Sequence, residues 1–201
     1  MEHAQHTERR HGTALTAIGL REPWRSLLVD IDRQLSGPTD LHCLGGFVIA
    51  ELYGLLRPTA DIDIIEARGT DLRTLQAIGG RGSELARRHH VFLDIVTVAT
   101  VPEDYEQRLV DIPSAELMHL RLRALERHDL VLAKLARNAD HDREDVKHLA
   151  LEPGLDCEVL RDRYQRELRF QFGNPRHADL TMDLWTEMIA EIQGRPGRGT
   201  P

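Results

Sequence analysis

Residues Asp61-Ile62-Asp63-Ile64-Ile65-Glu66 alternate acid and isoleucine. A period of two belongs to an extended strand, in which side chains two apart share a face. Ile62 and Ile64 are therefore expected to face a core, with Asp61 and Asp63 side by side on the other face. Two carboxylates held that close repel by a few kcal/mol even at an effective dielectric of about 20. Chains avoid such a pair unless a cation occupies the space, and paired oxygen ligands suit Mg²⁺. A lone Asp-x-Asp is more often a strand end facing water, so its neighbours decide the reading.

The neighbours read as follows. Glu22 to Leu35 carries Trp24, Leu27, Leu28, Ile31 and Leu35 at helical spacing, stopped by Ser36-Gly37-Pro38. Asp40 to Leu44 is a short strand ending at Gly45-Gly46, and a helix is expected over Phe47–Tyr53. Thr70–Ile78 and Ser83–Arg88 read as helices, Val91–Val98 as a β-branched strand and Leu120–Leu125 as another. Asp129–Arg137, His141–Leu151, Asp156–Phe170 and Ala178–Ile192 read as helices, separated by Gly154 and Gly173-Asn174-Pro175. Strands alternating with helices favour one sheet with packed helices. The fold class is α/β, a small mixed sheet followed by a helical C-terminal portion. The expected division is a tail over 1–20, a core domain over 21–152, C-terminal helices over 153–193 and a disordered tail over 194–201.

Several residues near the acidic strand suit phosphate chemistry. Gly45-Gly46 sits at a strand-to-helix turn, where missing Cβ atoms let phosphates approach the backbone; alone, it is also a simple tight turn. Arg57 and Thr59 precede Asp61 and are candidate phosphate contacts. Asp94 is an acid inside an otherwise apolar strand, Phe92-Leu93-Asp94-Ile95-Val96, and completes a candidate three-carboxylate metal set. A buried acid there needs a partner or a metal, whereas at a sheet edge it simply faces water. Lys134 is a compact charge suited to triphosphate oxygens, or equally a lysine snorkelling from an amphipathic helix. Arg143 and Asp145 pair with each other or cap their helix, with a secondary role in orienting Lys134.

Together, Gly-Gly, a helix, an Arg-x-Thr-x-Asp-x-Asp strand and a later Leu-Asp strand resemble the nucleotidyltransferase superfamily that includes DNA polymerase β. Residues His128–Arg137, with Lys134, and the following Asp142-Arg143-Glu144-Asp145 resemble more narrowly the small bacterial abortive-infection, type IV toxin nucleotidyltransferases. The resemblance spans Pro23 to Leu151. It implies a minimal nucleotidyltransferase fold and a Mg²⁺-dependent transfer of a nucleoside monophosphate from an NTP, ATP included. Asp61, Asp63 and Asp94 would hold metal, with Asp94 helping to deprotonate the acceptor. Gly45, Gly46, Arg57, Thr59 and Lys134 would bind the nucleotide, and Lys134 would also serve catalysis. The implied acceptor is RNA, at the 3′ end of tRNA, within a toxin–antitoxin pair that would bring an antitoxin protein as partner. Transfer of AMP to a protein is the same chemistry on another acceptor, and antibiotic modification is a third. Superfamily members commonly carry Ser or Thr after the glycine pair, and here Phe47 stands in that place. Phosphate binding would then rest on backbone amides and on Arg57 or Lys134. Phe47 and the acidic surface also motivate a different class, a non-catalytic nucleotide-binding or antitoxin-interacting module on the same fold.

Composition narrows the rest. The 201 residues carry 33 acidic and 26 basic side chains, a net charge of −7. That balance argues against a non-specific coating of nucleic acid, which needs a basic footprint. No stretch approaches the roughly 20 apolar residues of a membrane helix, and the polar N-terminus lacks a signal-peptide core; both point to the cytoplasm. Cys43 and Cys157 are far apart, which argues against a disulfide framework or a cysteine zinc site. Gly79-Gly80-Arg81-Gly82 lacks the spacing of a phosphate-binding fingerprint. Arg161, Arg163, Arg166 and Arg169 share a helix with Asp162 and Glu167 and read as a solvated face, with RNA contact as the alternative.

Overall fold

The computed structural model describes residues 19–194. The expectations for the two tails fall outside these residues, apart from Gly19, Leu20 and Gly194. The elements run α1 (Trp24–Asp32), β1 (Thr39–Leu44), α2 (Gly45–Tyr53), β2 (Asp61–Arg68), α3 (Leu72–Gly79), α4 (Glu84–His89), β3 (Phe92–Ile95), β4 (Val110–Asp111), β5 (Leu120–Ala124), α5 (Arg127–Arg137), α6 (Asp140–Leu151), α7 (Cys157–Arg163) and α8 (Pro175–Ile192). A 3₁₀ turn, Tyr105–Arg108, precedes β4. The architecture is mixed α/β, as the alternation of strand and helix patterns requires.

The five strands lie in the order β3-β2-β1-β5-β4. β1 runs antiparallel to β2 and parallel to β5, while β3 runs parallel to β2 and β4 antiparallel to β5. One face is apolar: Leu41, Cys43, Ile62, Ile64, Leu93 and Leu122 are fully buried. Strand register stacks them in pairs, Leu41 beside Leu122, Cys43 beside Ile64 and Ile62 beside Leu93. A one-residue bulge at Ile65 re-phases β2 against β1, pairing Glu66 with His42 but Ile64 with Cys43. The bulge keeps isoleucines on the core face at one end of β2 and an acid on the other face at its far end.

The pairing also decides where function can sit. Because β2 is antiparallel to β1, its first residues lie beside the last residue of β1, with Leu44 opposite Asp63. Because β3 is parallel to β2, Asp94 falls opposite Asp63. Because β5 is parallel to β1, α5 departs from this same end of the sheet.

The helices close the structure. α1, α3 and α4 pack on one another, with α3 and α4 against β3; α2 packs on β1 and β2 and reaches α6; α5 packs on α6, α7 and α8, and α8 packs on α6 and α7. One apolar cluster runs from Leu20 to Ile189 and includes Trp185. No described helix is long and apolar enough to cross a membrane.

Three differences from the sequence expectations have physical causes. β3 stops at Ile95 rather than Val98, because it is an edge strand and the chain leaves it to wall a cleft. The helix expected over Asp156–Phe170 breaks after Arg163 into one wide π turn, Tyr164–Leu168, and a 3₁₀ turn. There Glu167 turns inward, accepts from Arg108 at 2.6 Å and from the Asp104 amide at 3.2 Å. Third, the arginine row is not a uniform solvated face: Arg163 bonds Glu126 and Asp129, while Arg166 and Arg169 pair with Asp162 and Asp179.

Asp32, at the end of α1, is buried and accepts from the amides of Met118, His119 and Leu120 at 3.0, 2.8 and 2.7 Å. Burial alone raises a carboxyl pKa, but these amides hold Asp32 below its ordinary value. This contact pins the entry of β5 to α1. Asp32→Ala strands these donors and is expected to cost about 3 kcal/mol, seen as a fall in Tm of roughly 6–12 °C. An unchanged Tm would remove Asp32 from this role.

Candidate active site

Asp61, Asp63 and Asp94 each offer a carboxylate oxygen within 4.8 Å of the others, and all three are half-buried. Strand geometry brings them together: Asp61 and Asp63 share a face of β2, and Asp94 is the register partner of Asp63. Burial, then the charges of Asp61 and Asp94, push the Asp63 carboxyl up to about 6. Such a group is poorly accommodated as a bare anion. An all-oxygen donor set of this kind fits a hard divalent cation such as Mg²⁺.

Gly45 completes the geometry. Its φ of +77° lies in the left-handed region, and a Cβ there would fall 1.8 Å from Asp63 Oδ2. The Asp63 carboxylate thus occupies the space a side chain at 45 would take. Gly46 differs: a Cβ would meet Thr59 at 3.5 Å and Arg57 Nη2 at 3.7 Å, ordinary contacts. Thr59 donates its hydroxyl to Asp61 Oδ1, which orients that carboxylate. The Thr59 carbonyl in turn accepts from Trp24 Nε1 at 3.2 Å.

Beside the carboxylates lies a cleft of about 250 Å³. Gly45 and Asp63 form one side, Val96 and the stretch Val98 to Val101 another, and Leu130, Ala133, Lys134 and Arg137 of α5 the third. Lys134 is buried, and its Nζ donates to Asp145 Oδ2 at 2.6 Å and Asp142 Oδ1 at 3.1 Å. Arg57 Nη2 donates to both oxygens of Asp145, at 2.8 and 2.9 Å. Asp145 therefore pairs with Arg57 and Lys134, not with Arg143, which is exposed on α6. Asp142 also accepts from Arg137 and from the Ala139 amide at the start of α6. Burial would raise its pKa, but Arg137 and Lys134 together with the Ala139 amide bring it down to about 2.

Phe47 points away from the cleft. It is fully buried, with its ring edge-on to Trp24 at 5.3 Å. No hydroxyl follows the glycine pair. Arg137, one turn beyond Lys134 on the same face of α5, lines the cleft and was not singled out from sequence. The i, i+3 spacing from Lys134 is the signal that finds it.

A family model described as "Nucleotidyltransferase of unknown function (DUF6036)" matches residues 28–193. The chain belongs to this nucleotidyltransferase family. No curated protein and no solved structure matches it. The family match takes in the sheet and α5 to α8 alike. In this DUF6036 nucleotidyltransferase the three carboxylates, the glycine turn and the α5 cations therefore lie inside the matched region.

Two predictions test the geometry. Excess Mg²⁺ is expected to raise the Tm of the wild type and of Gly46→Ala, and to leave that of Gly45→Ala unchanged. Equal responses in the two variants would contradict the close approach of Asp63. Asp142→Asn leaves buried Lys134 short of a counter-charge and is expected to cost about 3 kcal/mol at pH 7 by urea unfolding. The Asp142 carboxylate has a folded pKa below its unfolded value, so its contribution is present above about 3.8 and lost as the pH falls toward 2. The gap between variant and wild type should narrow over that range.

Proposed function

We propose that the chain transfers a nucleoside monophosphate from an NTP, ATP among them, to a hydroxyl of an RNA acceptor, the 3′ end of tRNA being the candidate. The observation that carries this reading is the three-carboxylate cluster of Asp61, Asp63 and Asp94, with Asp63 seated where Gly45 has no side chain. Asp61, Asp63 and Asp94 would hold Mg²⁺. When bound, the ion supplies charge neutralisation at the phosphates and at the attacking and leaving oxygens. The acceptor oxygen attacks the α-phosphorus, the bond to the β-phosphate oxygen breaks, and pyrophosphate leaves. The acceptor proton passes to Asp94. Gly45 and Gly46 open the backbone to the phosphates, Thr59 orients Asp61, and Lys134 and Arg57, positioned by Asp145, balance phosphate charge. The RNA acceptor, the toxin role and an antitoxin partner rest on the resemblance of the Lys134 helix and the Asp142–Asp145 segment.

A second reading has its own observation. Phe47 is buried in the core, and Lys134 is bonded to two aspartates. This favours a module that binds nucleotide without turnover, as a sensor or an antitoxin-interacting partner. Calorimetry separates the two: Mg²⁺-independent nucleotide binding without pyrophosphate release belongs to the module.

The deciding experiment supplies labelled NTPs, Mg²⁺ and total tRNA or lysate. Wild type is expected to label RNA, and Asp61→Asn or Asp63→Asn to lose at least about 100-fold in rate, the scale of losing one charge-stabilising group at a reacting centre. Label on a protein band shifts the acceptor to protein. No transfer by wild type, or undiminished transfer by both variants, removes the enzymatic reading.

A further inference from the structure

The charged groups of the cleft beside the carboxylates are Asp63, Lys134 and Arg137, and most of the remaining lining is apolar. Val98, Ala99 and Val101 come from the chain that follows β3, and Ala133 and Ala136 from α5. A triphosphate and its metal would take up the charged groups, which leaves the flat nucleoside to these small apolar side chains. The stretch Val98 to Val101 lies outside every strand and helix. Val98 is 87% exposed, so burial does not hold it in place. Hydrogen bonds anchor the stretch from either end. The Val96 amide donates to the Ile64 carbonyl at 2.9 Å, and the Val101 carbonyl accepts from Gln171 Nε2 at 2.9 Å. Gln171 is 70 residues further along the chain, at the end of the 3₁₀ turn Arg169–Gln171. That turn is itself fastened. Gln171 Nε2 also donates to the Glu167 carbonyl at 2.9 Å, and Arg169 Nε and the Tyr164 hydroxyl both donate to Asp179 of α8 at 2.8 Å. The π turn before it carries an extra residue and re-aims the chain that follows. The Glu167 carboxylate then takes the Asp104 amide, three residues beyond Val101.

We propose that Gln171 is a positioning residue for the nucleoside of the bound NTP, holding through the Val101 carbonyl the wall on which the base and ribose rest. Glu167 secures the same segment at Asp104. A wall held in place beforehand spares the ligand the cost of ordering it. The groups available to the phosphates lie on other elements, at the glycine turn, on β2 and on α5. Loosening the wall therefore weakens the hold on the nucleoside and leaves that on the phosphates. The inference rests on the cleft being an NTP site, which both readings above share, and it gives the C-terminal helices a part in nucleotide binding.

Calorimetry in Mg²⁺ compares two probes, inorganic tripolyphosphate and the α,β-methylene analogue of whichever of the four NTPs wild type binds tightest. The methylene bridge prevents release of pyrophosphate. The ratio of the two affinities isolates the nucleoside from any change of charge near the phosphates. Gln171→Glu is isosteric but turns an acceptor toward two carbonyls, and is expected to lower the ratio about fivefold, the scale of one hydrogen bond. Gln171→Lys keeps a donor and is expected to retain the wild-type ratio. Gln171 is exposed, and equal Tm values verify that folding is untouched; if Gln171→Glu lowers the Tm, Gln171→Ala removes the donor without the repulsion and repeats the comparison. A ratio indifferent to loss of the donor, or one that falls as far in Gln171→Lys, overturns the positioning role and leaves the transferase intact. Wild type that binds the analogue no tighter than tripolyphosphate also overturns it. The expected shift in ratio without transfer to any acceptor supports the role and removes the transferase. Wild type that binds no NTP removes the nucleotide reading and this inference with it.

Discussion

Three like charges cannot be gathered within 4.8 Å unless the surrounding structure holds them there. At this sheet end three devices hold them. Asp61 and Asp63 are fixed by strand alternation, Asp94 by parallel register, and the Asp63 carboxylate by the empty side-chain position at Gly45. The electrostatic cost appears in the raised Asp63 carboxyl. The fold is arranged around that cost. β1 must end in a glycine turn, β2 must run back beside it, and β3 must enter in the same direction as β2.

The carboxylate set was legible in the sequence because alternation is a local signal. Asp-Ile-Asp-Ile declares both the strand and its two faces without knowledge of any partner strand. Asp94 was legible for a related reason, as an acid inside an apolar run. Most helices were likewise set by apolar spacing and by Gly and Pro stops. What the sequence did not show was relational. The bulge at Ile65 depends on which residue of β1 lies opposite. The two-residue strand β4 exists only through its pairing with β5. The π turn at Tyr164–Leu168 accompanies the inward turn of Glu167 to Arg108, far away in the chain.

The cations show the same limit. Arg57 and Lys134 stood out as side chains able to meet phosphate, and the structure draws both to one aspartate of α6. Asp145 looked like a partner for Arg143, two positions away. On a helix, residues two apart do not face each other, so Asp145 was free to serve more distant groups. Phe47 was read as the loss of a hydroxyl, and its burial against Trp24 gives that substitution a packing role.

Asp145 carries a consequence of its own. A single carboxylate shared by a loop arginine and a helix lysine makes the two cations competitors for one counter-ion. An anion that draws Arg57 outward frees negative charge for Lys134, and one that draws Lys134 does the same for Arg57. Thermodynamic reciprocity makes these effects equal in size. The segment joining α2 to β2 and the helix α5 are thus coupled through one side chain, and occupancy at one cation sets the charge available to the other.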